Sequence, residues 1–277
     1  RRGLKSHHDF TAPVLALEDH LAAFLQLRAT VTFASGTEAI RQTLGSLLQP
    51  KDDIIIDSAA HPAMFETIQL SQSHLHRSPA ASVEGVERRL ARLSRQPRHG
   101  RLIIAVPAVS AHGSRLADLA ELSALARQYG AILIVDVTHD LGAMGLQGRG
   151  LMEIQACLGR VDILLGGLSK TFGAPGGFAA FRDPDLKAAL LKSQRQSTAL
   201  APGNAAMILA ALDLIASPEG QRRRRNLHGL SLRLRNHLMA DGIRPMGKAS
   251  PFVPILLTLI TAPPSTATLE SAGPHVA

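Results

Sequence analysis

At 277 residues and 45% hydrophobic content, the chain can bury a large core in one α/β domain or two smaller ones, which excludes a disordered chain. A net charge of +8, built from 24 Arg and only 6 Lys, suits anionic partners, yet one Tyr, no Trp and eight Phe leave little surface for stacking on bases. The lone Cys157 excludes an internal disulfide and a Cys-rich metal site, so no metal is expected and a reducing cytoplasm is. No apolar run reaches the ~18 residues of a transmembrane segment, and nothing at Arg1 marks export.

Arg1 to Pro13 is polar and irregular, and residues 1–16 read as a lead-in. Leu17, Leu21, Phe24 and Leu25 then share one helical face. Val31 to Ala34 is a short strand running into Ser35-Gly36-Thr37-Glu38, followed by a helix from Ala39 to Leu48. Ile54 to Ile56 is a strand ending at Asp57-Ser58-Ala59-Ala60-His61-Pro62, and Pro62 suits the first turn of the next helix, where its missing N–H is not needed. Val83 to Arg95 predicts an amphipathic helix, and Leu102 to Val106 a buried strand closed by Pro107. Leu116, Leu119, Leu122, Leu125 and Tyr129 mark a helix packed on one face, with Gly130 where a C-cap glycine belongs.

Ile132 to Val135 predicts a strand entering Asp136, and Val161 to Leu165 one leading to Lys170. Gly177 to Phe181 is a short strand expected to run antiparallel. Pro218 opens a long helix to about Ala240, Phe252 to Ile260 could form one more strand, and the Pro/Ser/Thr-rich tail after Ala262 is expected to be disordered. Continuous apolar strands alternating with helices indicate an α/β/α sandwich with a mostly parallel sheet covered on both faces. Ligands of such sheets bind beyond the carboxyl ends of the strands. Ser35, His61, Ser110, Asp136 and Lys170 all follow strand ends, so five polar sites are expected on one edge.

Lys170 is surrounded in sequence by Gly166, Gly167, Gly173, Gly176 and Gly177, which let backbone approach a ligand closely. Burial there would make it a usable amine nucleophile for a Schiff base. Asp136 could simply cap the next segment, or hold a pyridine nitrogen protonated so that a ring accepts electrons. His139 could be a core histidine, or reach that ring's phenolic oxygen. His61 could stack on the ring. Ser35-Gly36-Thr37, between a strand and a helix start, is a natural phosphate cradle of backbone N–H groups and the Thr37 hydroxyl.

Together these residues resemble the fold-type I pyridoxal-phosphate (PLP) enzymes, and within them the α-oxoamine synthases. The match runs from Leu17 to Leu257. It consists of LEDHLAAF, FASG, DSAAHPAM, the D-x-x-H of Asp136 and His139, GLQGRG at Gly145 to Gly150, LSKTFGAPGG, STALAP at Ser197 to Pro202, and EGQRRRR…SPFVPILL. The resemblance implies that Lys170 binds the aldehyde of PLP, Asp136 pairs with the pyridine nitrogen, His139 bonds the phenolic oxygen and His61 stacks on the ring. Ser35, Gly36 and Thr37 would hold the phosphate, Ser110 would lie near the cofactor's polar edge, and Thr198 would reach the phosphate of a neighbouring subunit in a homodimer. It further implies a PLP-dependent acyltransferase that condenses an amino acid with an acyl-CoA thioester.

By the same comparison residues 17–216 are the PLP-binding domain and 217–262 a linker helix with the start of a small C-terminal domain, the N- and C-terminal parts being truncated. Three departures stand out: Gly167 where a phosphate-binding hydroxyl residue is common, Asp136-Val137-Thr138-His139 for the usual D-D/E-A/S-H, and Ala201 for a proline. An aminotransferase or other fold-type I enzyme, a catalytically impaired subunit of this fold, and a nucleic-acid binder built on Arg222 to Arg225 are the alternatives. The last is disfavoured, because charged residues are ordinary on an exposed linker helix.

Overall fold

The computed structural model describes residues 12–97, 99–193 and 199–256. Thr198, the lead-in up to residue 11 and the tail from residue 257 on lie outside the described residues. Seven strands form one sheet among the described residues: β1 (Ala29–Phe33), β2 (Asp53–Asp57), β3 (His74–Ser78), β4 (Leu102–Pro107), β5 (Ala131–Asp136), β6 (Ile163–Gly167) and β7 (Gly177–Phe181). Their spatial order is β1-β7-β6-β5-β4-β2-β3. Pairing is parallel from β6 through β3, and β7 runs antiparallel to both its neighbours, as its sequence position suggested.

The continuous apolar strands are buried from both sides. In β5, Leu133 and Val135 enter one core while Ile134 enters the other; in β2, Ile55 faces one way and Ile54 and Ile56 the other. One core packs α1 (Ala12–Leu25), α4 (Val83–Ser94), α5 (Leu119–Tyr129) and α8 (Pro202–Ala216) against the sheet. The opposite core lies under α2 (Gly36–Leu47), α3 (Pro62–Leu70) and α7 (Pro184–Ser193). The result is the three-layer sandwich that the strand pattern implies. A single turn, α6 (Leu151–Ile154), follows the GLQGRG loop, and α9 (Pro218–Ala240) closes the described helices.

The helices start where the sequence supplies an acceptor. The Ser35, Ser82, Asp118 and Ser217 side chains accept from Glu38, Gly85, Glu121 and Gly220 N–H groups at 3.0–3.2 Å, pairing donors that the first turn leaves unpaired. Pro62, Pro202 and Pro218 occupy first-turn positions. Gly130 ends α5 in the left-handed conformation at φ 62°.

Beyond α9, the described part of the expected strand from Phe252 forms only an isolated bridge between Pro245 and Ile255. The basic run is not a free cationic face either. Arg222 and Arg223 pair with Glu219, and the buried Arg224 donates to the carbonyls of Gly145, Ile215 and Leu146.

Candidate active site

Five parallel strands end on the same edge of the sheet, and the segments that follow them enclose one cavity of about 420 Å³. After β1 come Ser35, Gly36 and Thr37; after β2, Ala59, Ala60 and His61. After β4 come Ala111 and His112; after β5, Thr138 and His139; after β6, Ser169 and Lys170. The sequence-predicted residues Ser35, Gly36, Thr37, His61, Asp136, His139 and Lys170 are thus brought together from positions 135 residues apart along the chain.

Asp136 is the last residue of β5 and is buried; its Oδ1 accepts the Thr138 N–H at 2.9 Å. The Thr138 hydroxyl in turn accepts the Gly167 N–H at 2.9 Å, tying the ends of β5 and β6 together. Gly167 stands at the position where a hydroxyl residue is common, and it is the bare Gly36 that lets α2 approach it: a Cβ on Gly36 would lie 2.8 Å from the Gly167 Cα. The first turn of α2 therefore rests directly on β6, with Ser35, Gly36 and Thr37 at the cavity wall. That is a cradle built for an anion.

His139 is half-buried, with Phe252 edge-on at 4.9 Å between ring centroids. Burial lowers its pKa, Asp136 opposes this, and Lys170, His61 and His112 add to the lowering. The ring is neutral at pH 7, and its buried Nδ1 has no hydrogen-bond partner among the described residues. His61 caps α3, its Nδ1 accepting the Ala63 N–H at 3.1 Å, so its proton sits on Nε2.

Two expectations change. Lys170 lines the cavity but is exposed rather than buried. Ser110 is buried and does not line the cavity. Its hydroxyl closes its own loop, donating to the His112 carbonyl and accepting the Arg115 N–H, both at 3.0 Å. From that loop it is His112 that faces the cavity. His112 and Thr138 escaped the sequence reading as site residues because neither carries a local signal; the only hint was Thr138 as a departure inside D-x-x-H.

A mostly parallel sheet with one reversed strand, carrying a lysine, a carboxylate and an anion cradle at its carboxyl edge, defines the large domain of the fold-type I PLP-dependent transferases. Residues 9–259 match the family model for aminotransferase class I and II, and the chain belongs to that family. The 8-amino-7-oxononanoate synthase of Geobacter metallireducens is 32% identical over 243 residues, which are 87% of this chain and 61% of that protein. The serine palmitoyltransferase of Sphingomonas wittichii superposes with a TM-score of 0.78 at 25% identity, covering 85% of this chain and 58% of the other. A serine palmitoyltransferase from S. paucimobilis, solved with a bound PLP–myriocin aldimine, gives the same values. The chain spans about three fifths of the length of these relatives.

The residues present fit PLP. An anion-sized cradle at Gly36 and Gly167, the buried carboxylate of Asp136 and the accessible amine of Lys170 on one cavity are the kinds of group that a phosphate, a ring nitrogen and an aldehyde call for.

Proposed function

We propose that the chain is the cofactor-binding part of a PLP-dependent acyltransferase that condenses an amino acid with an acyl-CoA thioester. The observation that carries this reading is the convergence of Lys170, Asp136, His139, His61 and the Ser35-Gly36-Thr37 cradle on one cavity. Lys170 Nζ would hold the aldehyde carbon, Asp136 the pyridine nitrogen, and the α2 N-terminus with Thr37 the phosphate. Once bound, PLP supplies an electron sink for charge developing on the carbon beside the substrate amine.

Asp136 would keep a proton on the ring nitrogen, the condition for that sink to work. Its orientation is set by the Thr138 N–H, and Thr138 in turn is fixed to β6 through Gly167. His139, neutral and edge-packed on Phe252, donates or accepts at the phenolic oxygen without adding a charge. Lys170, exposed at the cavity, would be the base at hand to accept a proton at Nζ from the substrate α-carbon. The active unit is a homodimer in the cytoplasm. The ion-paired and buried arginines of α9 argue against nucleic acid as a partner.

Borohydride treatment of the PLP-loaded protein should add the reduced pyridoxyl mass to the peptide containing Lys170; an unmodified Lys170 would overturn the assignment. Thiol release on mixing the protein with amino acid and acyl-CoA supports the synthase. The family model's own description favours one competing reading, an aminotransferase. That activity would show instead as conversion of the cofactor to its amine form without thiol release.

A further inference from the structure

Thr138 follows β5 and lines the cavity together with Asp136 and His139. Two of its polar atoms are engaged inside the fold. Its N–H donates to Asp136 Oδ1, and its Oγ1 accepts the Gly167 N–H, both at 2.9 Å. The second bond fixes the hydroxyl without using its proton, because a hydroxyl donates once and has two lone pairs to accept with. That proton has no acceptor among the described residues. The Thr138 hydroxyl is thus a neutral donor at the cavity wall, held by the backbone of the neighbouring strand, and ordering it on a ligand costs little side-chain entropy.

Gly167 gives the hydroxyl its place relative to the α2 cradle. A Cβ built on that glycine would lie 3.2 Å from Thr138 Cγ2, 3.6 Å from Thr138 Oγ1 and 3.7 Å from the Gly36 Cα. The space over Gly167 is therefore bounded both by the start of α2 and by the Thr138 side chain, and the missing side chain of Gly167 leaves it open. Oγ1 and the Gly36 Cα both lie within 3.7 Å of one point, a separation that a single tetrahedral anion, hydrogen-bonded on two sides, can bridge. Ser35, Gly36, Thr37, Thr138 and Gly167 all line the same cavity.

Resting on the proposed function, in which the cradle takes the phosphate of PLP, we propose that Thr138 donates its hydroxyl proton to a phosphate oxygen while the Gly167 N–H fixes it from behind. The test is spectral titration of the cofactor-free protein with PLP and with pyridoxal, which lacks the phosphate. Thr138→Val keeps the shape and loses the hydroxyl. It should lose roughly tenfold or more of the preference for PLP over pyridoxal, the effect of removing a hydrogen bond to a charged group. Thr138→Ser should retain that preference. If the valine variant folds poorly, Gly167→Ala serves instead: its Cβ presses on the Thr138 methyl at 3.2 Å and should displace the hydroxyl, lowering the preference in the same way. Adding Thr138→Ser to it removes that methyl and should restore the preference. Equal losses for both compounds would make Thr138 only a tie between β5 and β6, and that result or unchanged affinities overturns the phosphate role while PLP binding stands. Failure of the unaltered protein to take up PLP overturns the proposed function itself.

Discussion

Asp140 is the residue whose environment is furthest from its ordinary one. It is fully buried four positions after Asp136, its Oδ2 accepts the Leu151 N–H at 2.7 Å, and its Oδ1 has no partner among the described residues. Burial, reinforced by the nearby Asp136 charge, pushes its pKa from the usual 3.8 up to about 7. The folded chain thus holds a proton here that the unfolded chain releases. The contribution is fully present below pH 3.8 and is lost as pH rises through about 7, a span corresponding to roughly 4 kcal/mol. Asp140→Asn keeps an acceptor for Leu151 and cannot ionise. Urea denaturation at pH 5 and pH 8 should show the unaltered chain losing stability over that interval relative to the variant; parallel behaviour would refute the assignment. At Lys170, Lys170→Ala should cut turnover by at least about 10²-fold, the low end of what a general base contributes, and abolish borohydride labelling. Lys170, Asp136 and His139 were legible because they sit in motifs. Asp140 and Thr138 were not, since their roles come from partners elsewhere in the chain, such as the Gly167 N–H, 29 residues on, that the Thr138 hydroxyl accepts.

Among the elements, those that place the site were the readable ones. β2, β4, β5 and β6 are buried on both faces, so their apolar runs are nearly unbroken. β3, with the sequence HLHRS, went unread because it is an edge strand paired only with β2 and partly exposed. α8 was missed for the opposite reason. It is apolar almost throughout, with Met207 and Leu214 exposed beside the buried Ile208, Leu212 and Ile215, so no period stands out. α2 offers an internal test of how the cradle is built. Gly36→Ala would put a Cβ 2.8 Å from the Gly167 backbone and force the helix off β6, costing about 1–3 kcal/mol and weakening PLP binding. Gly45→Ala in the same helix meets only the Thr67 methyl at 3.8 Å and should stabilise by about 0.5–1 kcal/mol. Paired urea titrations with opposite signs would separate a specific backbone contact from a general intolerance of α2 to substitution.

At the scale of the whole molecule, the site is a product of sheet order rather than of any one segment. The cavity exists only when β1, β2, β4, β5 and β6 all present their ends on one edge, so unfolding removes it entirely. A ligand that needs all five ends binds the native state alone and stabilises it by mass action. PLP at 100 times its Kd should therefore add about 2.7 kcal/mol. For a chain of 277 residues that corresponds to a rise in Tm of roughly 5 °C. Lys170→Ala should keep the part of this rise due to the cradle, Asp136 and the histidines, and lose the part due to the covalent link. The two contributions can be read by thermal melts of both proteins across a PLP series, with pyridoxal, which lacks the phosphate, as the control. If pyridoxal shifted Tm as far as PLP does, the α2 cradle would hold no phosphate and its assignment would fall. If PLP shifted neither protein, the convergence of the five strand ends would have to serve a different ligand.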